Sequence, residues 1–178
     1  MKAVPTSRYL LFAGIAVAGC AVDLLTKRWI FDYLGMPYQR PSLWLVDEIF
    51  GFTTSLNEGA LFGFGQGWRV LFSGLSIVAA GGIFYWLFVA GAAHDRLLTV
   101  ALAAVTAGIF GNLYDRLGLP GLTWGGEPVF GVRDWLHFKI EPILHWPIFN
   151  IADSLLVCGA TLLIWHALRS APPPEAPA

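Results

Sequence analysis

Four long, uninterrupted apolar blocks constrain this chain more than any other feature. They run from Tyr9 to about Trp29, from Val70 to Ala93, from Leu97 to about Leu117 and from Pro147 to Leu168. Each reaches the roughly 20 residues with which a helix crosses a hydrocarbon core of about 30 Å. None shows the period-two alternation of an outer-membrane barrel strand. Only 13% of the 178 residues are charged, about half the share usual in a soluble domain. A single water-soluble domain is therefore excluded. With a net charge of -1 there is no basic excess to neutralise phosphates, which excludes a nucleic-acid partner. The expected fold is an all-α membrane protein with four transmembrane helices and both termini on one side.

The connections between the blocks are unequal. His94, Asp95 and Arg96 make a tiny loop, so the second and third helices form a tight hairpin. The other two connections, about 30–69 and 118–146, are long and lie on the face opposite the termini. Leu43 to Leu45, Ile49 to Phe52 and the run Thr53, Thr54, Ser55 have strand-like composition, flanked by Gly and Pro. They predict a small β-rich subdomain on the membrane surface. Six of the eight Trp (Trp29, Trp44, Trp68, Trp124, Trp135 and Trp146) fall in or beside these connections, as an interfacial belt requires. Residues 1–170 are read as one integral-membrane domain. Pro172, Pro173 and Pro174 cannot continue a helix, so 171–178 is read as a disordered tail.

Charge does not orient the chain by simple counting. Lys2, Arg8, Arg96 and Arg169 lie on the termini side, and the other seven basic residues lie opposite. Discounting those paired with acids at helix ends, such as Lys27, Arg28 and Arg116, favours termini inside. The run Val17, Ala18, Gly19, Cys20 resembles the lipidation site of a lipoprotein precursor. The apolar run continues past it to Leu25 and three more spans follow, so Cys20, like Cys158, is read as a small buried hydrophobe.

Chemistry is expected where polar residues intrude on apolar helices, because an ionisable group at membrane depth is costly. AVDLLTK places Asp23 and Lys27 four apart on one helical face. GNLYDR places Asn112, Asp115 and Arg116 on one face of the third span, and FNIADS does the same for Asn150 and Asp153 in the fourth. Asp134, in GVRDW, belongs to the same membrane surface. Three helices thus direct amides, carboxylates and cations at one zone. Ser73 and Ser76 have no motif pairing them with a base. Asp134 and His137, three apart with Glu141 and His145 nearby, have a spacing that builds zinc sites on helices, but no HExxH or paired-Cys motif accompanies them. His94 and His166 lie on the far side.

Asn57 in LNEGALFGF, Asn112 in GNLYDR and Asn150 in FNIADS, with VDLLTK before them and RDW between, resemble the lipoprotein signal peptidases, or signal peptidase II. The five motifs stand in order from about residue 8 to residue 168. The resemblance implies a bacterial inner-membrane aspartyl peptidase that cuts the signal peptide from a prolipoprotein just before a diacylglyceryl-modified Cys. It places the catalytic pair on Asp134 and Asp153, with Asp23, Asn57, Asn112, Arg116 and Asn150 in support, while Asp23 with Lys27 reads from its own residues more as a structural pair fixing the first helix. It further implies lipidated prolipoprotein and membrane lipids as partners, globomycin-like peptide inhibitors, a monomer without cofactor or metal, cytoplasmic termini and a site near the periplasmic face.

Two close carboxylates suit that chemistry. They share one proton because both cannot easily ionise, so one activates water while the other protonates the substrate. The sequence does not say which is which. Asn112 and Asn150 are suited to hold carboxylates or the scissile peptide, Arg116 to orient a carboxylate or meet substrate, and Asn57 with the Gly-rich stretch after it to shape a surface cradle. In one place the chain departs from the family pattern. The segment LGLPGLTWGGEPVFGVR before Asp134 is longer than usual, and Arg133 stands where an apolar residue is expected. Asp115 is the competing carboxylate, read otherwise as an ion pair closing the helix end. Two other classes remain open, an inactive family member acting as a binding or resistance protein and a proton-coupled carrier. A carrier would want its charges near the bilayer midplane.

Overall fold

The computed structural model describes residues 3–59 and 67–170. The tail at 171–178 and most of the Gly-rich stretch after Asn57 lie outside the described residues. Within them, α1 (Thr6–Leu34), α2 (Arg69–Phe84, continued by a π-helical turn over Tyr85–Val89), α3 (Arg96–Arg116) and α4 (Ile151–Ser170) match the four apolar blocks. All four are long and apolar enough to cross a membrane.

The helix ends differ from the sequence expectation for local reasons. α1 runs past Trp29 because Ile30, Phe31 and Leu34 are buried together with Trp135. It stops at Gly35, whose φ of 78° suits glycine and whose N–H bonds the Phe31 carbonyl at 3.0 Å. The α2–α3 hairpin is tight as expected. Gly91 at φ 84° turns the chain, and Asp95 caps α3 by accepting the Leu98 N–H at 2.9 Å, which makes Arg96 the first helical residue. α4 begins at Ile151 rather than Pro147, because Phe149 is bridged to Leu136 in extended conformation. On this termini side His166 of α4 meets Asp95 at 2.7 Å.

α3 is the central helix. Ala101, Ala103, Ala107 and Gly111 are among its buried residues, and it packs against α1, α2 and α4. The close approach depends on small residues, as Ala104 with Gly108 and Ala107 with Gly111 predict. A Cβ on Gly108 would stand 2.5 Å from the Ala152 carbonyl oxygen, and one on Gly111 would collide with the Asp23 carboxylate. The other helices turn apolar side chains outward, among them Val17, Leu25, Ile77, Val78, Ile164 and Leu168. In water such a surface would be untenable, and in lipid it is ordinary. Cys158 belongs to that outer surface and Cys20 is half-buried, so neither is the fully buried hydrophobe expected.

The strands are β1 (Leu43–Val46), β2 (Phe50–Asn57), β3 (Thr123–Trp124), β4 (Glu127–Pro128), β5 (Val132–Ile140) and β6 (Leu144–His145). An antiparallel sheet takes the order β1-β2-β5-β6, and β3-β4 forms a separate hairpin. Both predicted strands of the first long connection are present. The sequence reading missed β5, the longest strand, which comes from the second connection and pairs with β2 at Phe52–Leu136, Ser55–Asp134 and Asn57–Val132. The sheet therefore knits the two long connections together. Trp135, expected in the interfacial belt, is instead 5% exposed and packs on the end of α1.

Candidate active site

The site assembles around the first turn of α4, where a helix presents unpaired N–H groups and the positive end of its dipole. Asn150 precedes the helix and forms a reciprocal cap with Asp153. The Asp153 N–H donates to Asn150 Oδ1 at 2.9 Å, and the Asn150 N–H donates to Asp153 Oδ2 at 3.1 Å. The N–H of Ala152 donates to Asp23 Oδ1 of α1 at 2.8 Å. Two carboxylates from distant parts of the chain therefore satisfy the start of α4.

Asn112 in the last turns of α3 links the two groups. Lys27 Nζ donates to its Oδ1 at 2.9 Å. Since an ammonium only donates, this fixes the amide orientation and leaves Nδ2 to donate to Asp153 Oδ1, at 2.8 Å. Asn150 Nδ2 donates to Asn112 Oδ1 at 3.1 Å and to Asp134 Oδ1 at 2.6 Å. Asn150 therefore touches both Asp134 and Asp153, one through its side chain and the other through its backbone. Asn57, at the end of β2, also hydrogen-bonds Asp134. Burial, reinforced by the neighbouring Asp153 charge, pushes the Asp134 carboxyl up to about 8.

Behind this pair lies a second, fully ionic cluster. Lys27 Nζ stands 2.8 Å from Asp23 Oδ2 and 3.1 Å from Asp115 Oδ2, with all three side chains buried. Asp115 in turn accepts from Arg133 of β5, from Nε at 2.9 Å and from the backbone N–H at 3.0 Å, with Nη2 at 2.8 Å. β5 brings this about by alternation. Arg133 and Trp135 meet Asp115 and the end of α1, and Asp134 between them meets Asn150.

All eight residues singled out from the sequence, Asp23, Lys27, Asn57, Asn112, Arg116, Asp134, Asn150 and Asp153, come together here. Arg116 donates from Nη2 to the Gly59 carbonyl at 3.0 Å and lies over the Phe72 ring at 5.6 Å. It lines a cavity of about 250 Å³ with Asp153, Asn112, Ser76, Ile109 and Leu156, between α2, α3 and α4. The sequence reading expected Asp115 to close its own helix. Its partners are across the fold, on α1 and β5. Arg133, treated as a departure from pattern, is the cation that Asp115 needs. No local pattern in the sequence joins the two, because they meet only through the pairing of α3 with β5.

The spacing that prompted a metal reading does not survive in space. Asp134 and His137 lie on strand β5, where residues three apart point to opposite faces. His137 Nδ1 stands 3.2 Å from Thr53 Oγ1, and His145 pairs with Glu141 at 2.7 Å. Among the described residues no three His, Cys, Asp or Glu side chains are grouped to hold a metal ion.

Comparison with known proteins places the chain in one family. Residues 15–169 match the family profile described as Signal peptidase (SPase) II. A lipoprotein signal peptidase of Rhodopirellula baltica is 46% identical over 91% of this chain and 73% of its own length. One from Syntrophus aciditrophicus is 33% identical over 90% of this chain and 91% of its own. A bacterial membrane enzyme structure determined by the in meso method superposes with a TM-score of 0.75 at 26% identity, covering 99% of this chain and 97% of that one.

Proposed function

The chain belongs to the signal peptidase II family, a family of membrane peptidases, and from that membership we propose that it is an aspartyl endopeptidase that cuts diacylglyceryl-modified prolipoproteins just before the lipidated Cys. Asp134 and Asp153 are the catalytic pair. The observation that carries this reading is Asn150, which holds both carboxyl groups, one of them pushed up to about 8. Two such groups share a proton at neutral pH, and burial favours its residence on Asp134.

Asp153, facing the cavity, then takes a proton from water as the water oxygen attacks the scissile carbonyl carbon. Asp134 donates its proton to the carbonyl oxygen. Collapse of the tetrahedral intermediate breaks the C–N bond, with the proton held by Asp153 passing to the departing Cys nitrogen and Asp134 recovering its own from the hydroxyl. No cofactor is required. Asn112 and Asn150 position the pair, Arg116 meets substrate carbonyls, and Asn57 bears on Asp134 from the sheet. Asp23 and Lys27 hold α1 to α3 and α4.

The cavity between α2, α3 and α4 suits a signal helix arriving sideways from lipid, the acyl chains staying in the bilayer. The carboxyl pair lies at helix ends, in the first turn of α4 and on the sheet beside it. That depth favours a peptidase over a proton-coupled carrier. In the same reading residues 1–170 act as one domain in the bacterial inner membrane as a monomer, with the termini cytoplasmic and the sheet periplasmic, and globomycin-like peptides compete with substrate.

A gel-shift cleavage assay on a diacylglyceryl prolipoprotein with purified protein tests this. Asp153→Asn and Asp134→Asn should both lose activity. Activity retained in Asp153→Asn rejects the aspartyl mechanism. Activity retained in Asp134→Asn but lost in Asp115→Asn transfers the second role to Asp115.

A further inference from the structure

Arg133 is 4% exposed and immediately precedes Asp134. Three contacts bind it to Asp115, through Nε, Nη2 and its own backbone N–H. The last turn of α3 is thereby fastened to β5 one residue from the proposed catalytic carboxyl. On the other side of that residue, Trp135 is packed against Ile30, Phe31 and Leu34 of α1. Asp134 is thus bracketed by an ionic clamp and an apolar one.

The clamp also closes a charge balance. Asp23, Lys27, Asp115 and Arg133 make two buried anions and two buried cations in mutual contact. With an apolar residue at 133, Lys27 alone would face both carboxylates, leaving a net negative charge beside the site. An unanswered buried charge is among the costliest defects a fold can carry.

We infer that Arg133 is a positioning residue for the proposed peptidase reaction, clamping β5 to Asp115 so that the Asp134 carboxyl meets Asn150, and neutralising the ionic cluster behind it. The inference rests on the reading that Asp134 is one of the catalytic pair. The groups that face or act on Asp134 are Asp153 and Asn150 from α4, Lys27 from α1, Arg116 from α3 and Asn57 from β2. Arg133 and Asp115 act on it through Lys27 and through the course of β5. Losing Arg133 leaves Lys27 divided between two carboxylates, which favours the protonated form of Asp134.

The test is kcat, KM, the pH profile and thermal unfolding of purified Arg133→Leu, Arg133→Lys and Asp115→Asn/Arg133→Leu, with diacylglyceryl prolipoprotein as substrate and Asp134→Asn as reference. Arg133→Leu should lower kcat about 10- to 100-fold with little change in KM, the size expected when a reacting group is misplaced by an ångström or less. Its alkaline limb should move to higher pH. Arg133→Lys should recover part of the loss, since it keeps the charge and loses the fork. The double variant should exceed Arg133→Leu in kcat because it removes the carboxylate left in excess over Lys27. Wild-type kcat and an unmoved limb in Arg133→Leu, or a loss of thermal stability alone, overturn the inference while an inactive Asp134→Asn leaves the catalytic reading standing. Should Arg133→Leu not fold, wild-type kcat in Arg133→Lys overturns it equally. Activity in Asp134→Asn overturns both.

Discussion

Four buried or half-buried carboxylates gather where α1, α3, β5 and α4 meet, and they are held in two different ways. Asp23 and Asp115 are held by cations, Lys27 serving both and Arg133 serving the second. Asp134 and Asp153 are held by amides, Asn112, Asn150 and Asn57, none of which carries charge. A cation in contact commits a carboxylate to an ion pair, here one that ties α1, α3 and β5 together. A neutral amide orients a carboxyl without supplying a compensating charge. The same residue type is therefore a strut in one half of the cluster and a candidate acid or base in the other.

The largest effect should come from the amide-held half. Asp134→Asn and Asp153→Asn should each lower kcat/KM by about 10²- to 10⁴-fold, the range for removing a general acid or base. Folding should be retained, because an Asn at either position keeps the shape and one acceptor oxygen, toward Asn150 at 134 and toward Asn112 at 153. Cleavage rates and circular dichroism on the same samples separate the two. If unfolding accompanies the loss, the distinction between strut and reactive group fails at that residue.

Lys27→Met probes the cation-held half in the opposite sense. It strips Asp23 and Asp115 of their shared ammonium and Asn112 of the donor that orients it. Breaking a buried ion pair from one side costs about 3–5 kcal/mol, so thermal unfolding in detergent should show a large drop. Adding Asp23→Asn should return part of it. Unchanged stability in Lys27→Met would mean that the ionic cluster is not what holds α1 in place.

The pH response should also follow the division. Asp134 has an ordinary value of 3.8 and is pushed up to about 8 in the fold. Between these values the folded chain keeps a proton that the unfolded chain has lost. Its contribution to stability therefore declines as pH rises from about 4 to about 8, and is level beyond. Activity should fall as pH rises through about 8, when the pair loses its shared proton. Asp134→Asn, which cannot ionise, should show the smaller decline in Tm across that window. An alkaline limb far from 8 in the wild type would place the proton elsewhere.

Much of this was legible in the sequence, and the reasons are specific. A span must be apolar for its whole length, so the blocks around α1 to α4 stood out. Helical spacing made Asp23 with Lys27, and Asn150 with Asp153, neighbours by arithmetic alone. What could not be read was set by pairing across the chain. β5 has two charged residues in Arg133 and Asp134 where a half-buried strand would show simple alternation, because both of its faces are covered there. Its strand character comes from β2, and no local pattern announces it. Asp115 likewise lies beside Arg116 in sequence and bonds Arg133 in space.

The smallest expected effect supplies the control for the whole comparison. α1 carries two acid–base pairs at the same i, i+4 spacing, nearly in succession. Asp23–Lys27 is fully buried at 2.8 Å, and Arg28–Asp32 is 79% and 72% exposed at 3.5 Å. The spacing is matched while the order of acid and base is reversed. A surface i,i+4 pair contributes only about 0.2–0.5 kcal/mol in either order, so the main difference is burial and what else each pair touches. An exposed pair gains little from Coulomb attraction in water and is screened by salt. Asp32→Ala should therefore leave both Tm and the cleavage rate where they were. A fall approaching that of Lys27→Met would mean that charge at the end of α1 matters wherever it sits, and the contrast between buried strut and solvated pair would have to be abandoned.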